Sequence, residues 1–287
     1  MPDLILGVLC FNLILILFKF FVQYGVNNSQ AITFNYFTAG SLGLWLSGSH
    51  IYPIQLLDFD WMPFAAFIGS FFILTFVVLA TTTQKVGMAI STVANKMSVI
   101  IPVTFAFILY GDQVSLLKIG GIALALAGVF FTSTTARAFN FDKKYLPMIL
   151  FIFLGQGIAD VVFNYAQQTH VGQEDSELFI CGMFYSAGAV GLLISIYQLL
   201  GKKTVFHYRN ILWGIALGVP NYFTVFFFFR ALESGFMESS QVYPIFNMSI
   251  IVVSALFGFL VYKEKLAARN WMGILFSVVA ILAIMFG

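Results

Sequence analysis

The residues best able to do chemistry in this chain are the few ionisable ones inside long apolar stretches. Lys96 lies about nine residues into such a stretch, roughly 13 Å along a helix at 1.5 Å per residue, close to the middle of a bilayer. Asp160 lies deep in another stretch, and Lys19 near the end of the first. A charge at that depth is costly, so it faces a cavity, a partner or a solute pathway. Lys96 also has polar company. Thr92, Asn95 and Lys96 are spaced i, i+3 and i+4, on one helical face. A comparable stripe is Ser240, Tyr243 and Asn247. A lysine among hydroxyls and amides favours a substrate carboxylate or phosphate, since the anion lowers the cost of keeping the amine charged. Asp160 is suited to a substrate ammonium, to pairing with Lys96, or to carrying a proton. Lys19 serves either as a coupling or gate residue or simply snorkels to the headgroups. Tyr222, beside Pro220 and Asn221, completes the expected substrate-binding set. The plainer alternative is that Ser, Thr and Asn only join helices, with Lys96 and Asp160 as mutual counter-ions. Arg230, Glu233 and Glu238 gather around one connection and are expected in the headgroup region.

The elements that must position these groups follow from composition. The 287 residues are 60% apolar and 9% charged, against roughly 25% charged in a soluble domain. A bilayer-spanning helix takes about 20 mainly apolar residues. Ten stretches qualify, near 3–21, 30–49, 61–83, 88–110, 114–133, 146–167, 178–200, 210–230, 236–262 and 266–286. The expected class is therefore an all-α integral membrane protein, multi-pass, with connections too short for a soluble domain. The first stretch lacks a basic flank and reads as a helix rather than a signal peptide. Cys10 and Cys181 fall inside stretches, and His50, His170 and His207 stand singly, so no metal site is expected. No nucleotide-binding or hydrolase motif occurs, and no paired acids or activated nucleophile lie in the stretches. An enzyme, a cofactor and a nucleic-acid partner are not expected.

Two segments read as copies of one another. The first runs from Gly87 through Pro102 and Tyr110-Gly111-Asp112 to Gly121, the second from Gly235 through Pro244 and Tyr262-Lys263-Glu264 to Gly273. Residues 1–134 and 135–287 would then be two five-helix repeats, and five being odd, they insert with opposite topology. Loop charge sets the orientation. Arg137, Lys143 and Lys144, then Lys202, Lys203 and Arg209, then Lys263, Lys265 and Arg269 mark one side. Asp58, Asp60, Glu174, Asp175 and Glu177 mark the other. The basic side should be cytoplasmic, with both termini outside, in the cytoplasmic membrane if the source is a bacterium.

With Tyr-Gly-Asp-Gln at 110–113 and Tyr-Lys-Glu-Lys at 262–265, each followed by a glycine-bearing helix, the chain resembles the drug/metabolite transporter superfamily, EamA-like branch. It has Asp112 where that family commonly has Glu, and Lys263 where it has Gly. The resemblance implies ten transmembrane helices as two inverted five-helix repeats, with the fourth and ninth, and the first, sixth and eighth, around a central cavity. The expected activity is secondary active transport of a small polar, anionic or zwitterionic metabolite by alternating access, coupled to protons or to an exchanged solute. Export of hydrophobic or aromatic compounds, or a role as a lipid-headgroup flippase component, is the alternative. The chain is expected to work in the lipid bilayer as a monomer or a homodimer.

Overall fold

The computed structural model describes residues 2–85, 88–133, 143–202, 204–260 and 267–287. Its helices are α1 (Pro2–Gln23), α2 (Asn28–Leu46), α3 (Met62–Lys85), α4 (Met88–Met97), α5 (Ile100–Leu109), α6 (Leu116–Ser133), α7 (Leu146–Thr169), α8 (Ser176–Leu200), α9 (Tyr208–Glu233), α10 (Ser239–Leu260) and α11 (Ala268–Met285). Among the described residues there is no strand. Six helical stretches are long and apolar enough to cross a membrane: Met62–Leu79, Leu146–Thr169, Gln173–Leu200, Tyr208–Glu233, Ser239–Leu260 and Ala268–Met285. Shorter apolar runs occupy Pro2–Phe18, Val93–Leu109 and Leu116–Phe131.

One expected stretch, 88–110, is not a single helix. It breaks after Met97 and restarts at Ile100. Pro102 removes one of the bonds that would carry a helix across this break. In a continuous helix its ring would press on the carbonyl of Ser98, four residues back, and it has no N–H to offer that carbonyl. The chain turns there instead, and the Ser98 hydroxyl donates to the Asn95 carbonyl at 2.5 Å. Lys96 consequently stands in the last turn of a short helix, where the negative end of the dipole favours a cation.

The chain forms two compact units, one of residues 1–74 and 162–233, the other of 75–161 and 234–287. In the first, α2 packs along α8 and α9, and α1 along α9. Glycines make the close approach possible. A Cβ on Gly214 would lie 2.6 Å from the Ala31 carbonyl oxygen, and one on Gly218 2.8 Å from that of Asn35. Small residues four apart are how membrane helices bring their backbones together. Around this seam, Ile14, Phe21, Ala31 and Leu217 are buried, with Trp213 packed against them. The loop end of the seam is polar and closed on itself. Asn210 Nδ2 donates to Gln30 Oε1 at 2.6 Å, and Gln30 Nε2 to the Val205 carbonyl at 2.9 Å.

In the second unit α6 lies along α11, and α10 contacts α5, α6 and α11. Gly128 admits α11 at its closest point, where a Cβ would sit 3.0 Å from the Ser277 nitrogen and 3.1 Å from the Gly273 oxygen. Ala125, Val129, Met248, Ile251 and Ala280 form the buried core between α6, α10 and α11. The turn between α5 and α6 contains Gly111 at φ +67° with open space around it, so the left-handed backbone alone calls for glycine there.

Candidate functional site

Within the second unit, α4, α7 and α10 bring together most of the polar residues expected to matter. Lys96 Nζ donates to Asn247 Oδ1 at 3.1 Å. Asn247 Nδ2 in turn donates to the Tyr243 carbonyl at 3.0 Å. The Tyr243 hydroxyl donates to the Asp160 carbonyl at 2.9 Å. Gln156, one turn before Asp160 on α7, donates to Asp160 Oδ1 at 3.0 Å and accepts from Asn95 Nδ2 at 3.4 Å. The Lys96 ammonium and Asp160 carboxylate lie close enough for their charges to attract.

The burial of this cluster differs by residue. Tyr243 is sealed, at 2% exposure, whereas Asn95, Lys96, Gln156, Asp160 and Asn247 are each half-buried. A sealed network would serve only packing. Here a lysine, an aspartate and three carboxamides retain partial exposure, and every amide has at least one bonded partner to fix its direction. Such a surface can meet a ligand with a carboxylate at Lys96 and an ammonium at Asp160, with the carboxamides adapting to either as donor or acceptor.

The other expected residues stand apart. Ser240 is fully buried at the start of α10, where its N–H donates to Asp112 Oδ2 at 2.9 Å. Tyr222 belongs to the first unit, packed against Phe184 and stacked on Phe226 with ring centres 5.7 Å apart. Thr92 lies on α4 and Lys19 on α1, but their side chains fall outside the described residues. Tyr262, Lys263 and Glu264, the second copy of the Tyr-x-acid motif, also fall outside them. No group of three His, Cys, Asp or Glu able to hold a metal occurs among the described residues.

The charged residues on either side of the connection after α9 are paired within their own units. Arg230 Nε lies 3.8 Å from Asp3 Oδ1, and Glu233 accepts from the Ser176 hydroxyl at 2.9 Å. Glu238 instead takes Lys118, whose Nζ is 2.6 Å from Glu238 Oε2. Lys118 sits in the first turn of α6 with 1% exposure. A cation there opposes the positive end of the helix dipole. Glu238 and the Gln113 carbonyl, 2.8 Å from Nζ, offset that cost.

Burial works against the charged form of Glu238, but hydrogen bonds from Lys118, the Gln113 N–H and Ser240 outweigh it and hold the carboxyl below its ordinary value of 4.5. A depressed carboxylate stabilises the fold above that ordinary value, and its contribution is lost as pH falls through the lower folded value. Glu238→Gln is therefore expected to lower the melting temperature at neutral pH. The difference from wild type should close as pH drops below about 4.5, and a pH series of thermal unfolding curves checks it.

No family model matches the chain. An uncharacterized protein of Haemophilus influenzae is 26% identical over 287 residues, which covers 98% of this chain and 96% of the relative. A solved crystal structure superposes with a TM-score of 0.79 at 14% identity, covering 99% of this chain and 96% of that one. At that identity the likeness shows the fold. The six long apolar helices are consistent with a multi-pass membrane protein.

Proposed function

We propose that this chain is a secondary transporter that moves a small zwitterionic or anionic metabolite by alternating access, with the Lys96–Asp160 cluster as its substrate site. The observation that carries the proposal is the half-buried Lys96, held by Asn247 at 3.1 Å beside the Asp160 carboxylate, in the last turn of a helix that breaks inside an apolar stretch. Broken helices whose ends present charge near mid-membrane are how many transporters build a site. A site with both signs of charge favours a substrate that carries both. In the empty state the two groups compensate each other, and a bound zwitterion exchanges that internal attraction for its own.

Ten crossings in two inverted repeats, as in the drug/metabolite transporter superfamily, are part of the same reading. Each compact unit draws segments from before and after residue 134. Counting α4 and α5 as one span, the contacting pairs α2 with α8, α5 with α10 and α6 with α11 each join a span to its counterpart five spans later. The basic loops would face the cytoplasm, with protons or an exchanged solute supplying the energy.

The test is ligand-dependent thermal stability of the purified protein, screened with pools of zwitterionic, anionic, cationic and apolar aromatic metabolites. A ligand at ~100 times its dissociation constant should add about 2.7 kcal/mol. Zwitterions or carboxylates are expected to stabilise wild type and not Lys96→Met. Stabilisation by apolar or cationic compounds that survives Lys96→Met overturns the proposal.

A further inference from the structure

We infer that Asp112, Lys118 and Glu238 are positioning residues for the Lys96–Asp160 cluster, acting through the first turn of α10. The inference rests on the transport reading insofar as that cluster is the substrate site.

Helix α10 supplies two members of the cluster, Tyr243 and Asn247, and Pro244 lies between them. Proline has no N–H to donate to the Ser240 carbonyl, so the helix lacks a rung where it must carry register from one member to the other. The first turn is held from outside instead. Asp112 Oδ2 accepts the Ser240 N–H at 2.9 Å, a cap supplied by a different part of the chain. Glu238, just before the helix, accepts the Gln113 N–H at 3.1 Å and Lys118 Nζ at 2.6 Å. On the far side, Gln241 Nε2 donates to the Ile284 carbonyl at 2.8 Å, tying the same turn to the end of α11.

With that turn fixed, the Tyr243 hydroxyl reaches the Asp160 carbonyl, and Asn247 bonds back across the proline to the Tyr243 carbonyl while its Oδ1 holds Lys96. Glu238 is five residues from Tyr243, about 7.5 Å along the helix. A slip of the clamped turn therefore displaces both contacts together. The Tyr-Gly-Asp-Gln turn thereby gains a role beyond connecting two helices. Gly111 gives the backbone its left-handed step, and Asp112 and Gln113 deliver the side-chain oxygen and the N–H that seat α10.

The experiment reads Lys96 itself. Full-length protein in lipid nanodiscs is treated with an amine-acylating reagent, and the rate at Lys96 is followed by peptide mass spectrometry. Glu238→Gln and Asp112→Ala are each expected to raise that rate about tenfold, because Asn247 no longer holds the amine. Asn210→Ala, which breaks a buried hydrogen bond in the other unit, should lower stability and leave the rate unchanged. Unchanged rates in folded Glu238→Gln and Asp112→Ala, or an equal rise in Asn210→Ala, overturn the inference. If Glu238→Gln does not fold, Asp112→Ala decides alone. Thermal stability of unlabelled wild type with and without an equimolar mixture of the natural amino acids separates this result from the transport reading. Stabilisation of wild type by the mixture alongside unchanged variant labelling rates leaves that reading standing and removes the positioning role. Raised variant labelling rates without stabilisation by the mixture support the positioning role and count against amino acids as substrates.

Discussion

Gly214→Leu is expected to destabilise the first unit strongly. A Cβ at this position would sit 2.6 Å from both the Ala31 carbonyl oxygen and the Phe34 Cβ, and 3.1 Å from the Asn35 nitrogen. Two of those three neighbours are backbone, so no rotamer change relieves the clash and the helices must separate. Overpacking in a rigid core costs about 1–3 kcal/mol and occasionally more, and this site lies at the upper end. Total stabilities are only about 5–15 kcal/mol, so the loss should appear as aggregation or a large drop in melting temperature. Gly120→Leu is the matched control, because a Cβ there meets nothing within 4 Å. Its effect should stay within about 1 kcal/mol and favour the fold, because glycine is the poorer helix former at an exposed helical position. Trp213, packed beside the seam, gives a fluorescence signal for the unfolding. Gly214→Leu and Gly120→Leu melting at the same temperature would show that α2 and α9 do not depend on this contact.

The helices themselves were legible because long apolar runs in a chain with 9% charge have few stable forms besides a helix. What composition could not supply was the break between α4 and α5. The run from 88 to 110 is apolar on average across Pro102, and hydropathy averages over the interruption. Proline excludes the carbonyl four residues back, which makes Ser98 a candidate break, but Pro220 and Pro244 lie inside continuous helices, so the rule alone does not say which proline interrupts.

The candidate cluster was legible to the extent that polar residues on one face of one helix point to one place. Asn95 with Lys96, and Tyr243 with Asn247, are pairs of that kind, and both belong to the cluster. Tyr222 is different because a single residue on α9 carries no information about which way the helix is rotated, and the fold turns it toward Phe184 and Phe226. The Lys118–Glu238 pair joins residues 120 apart, and neither has a local pattern to announce it. Charges near helix ends read as solvated by default. Only the packing of α6 beside α10 makes this lysine one of the most deeply buried side chains described.

Lys96→Met, Asp160→Asn and the double variant are expected to separate the structural and binding roles of the pair. On the proposed transport reading, Lys96→Met leaves the Asp160 carboxylate inside the membrane without its nearby cation. A charge at the centre of a spanning helix costs about 2.5–3.5 kcal/mol, and half-burial keeps the loss near the lower figure. Asp160→Asn should cost less, because Lys96 keeps its bond to Asn247 and the favourable end of α4. In the double variant no charge is stranded, so its loss should fall short of the sum of the singles by about 1–3 kcal/mol. Thermal unfolding of the four proteins in nanodiscs gives that coupling. Ligand screening on the same samples gives the second axis. If the pair binds substrate, the double variant regains stability and still fails to respond to any zwitterion that stabilises wild type. If the pair is only a mutual counter-ion, the double variant regains both. A strictly additive cycle would instead mean that the two charges do not sense each other, and the compensated empty state would lose its basis.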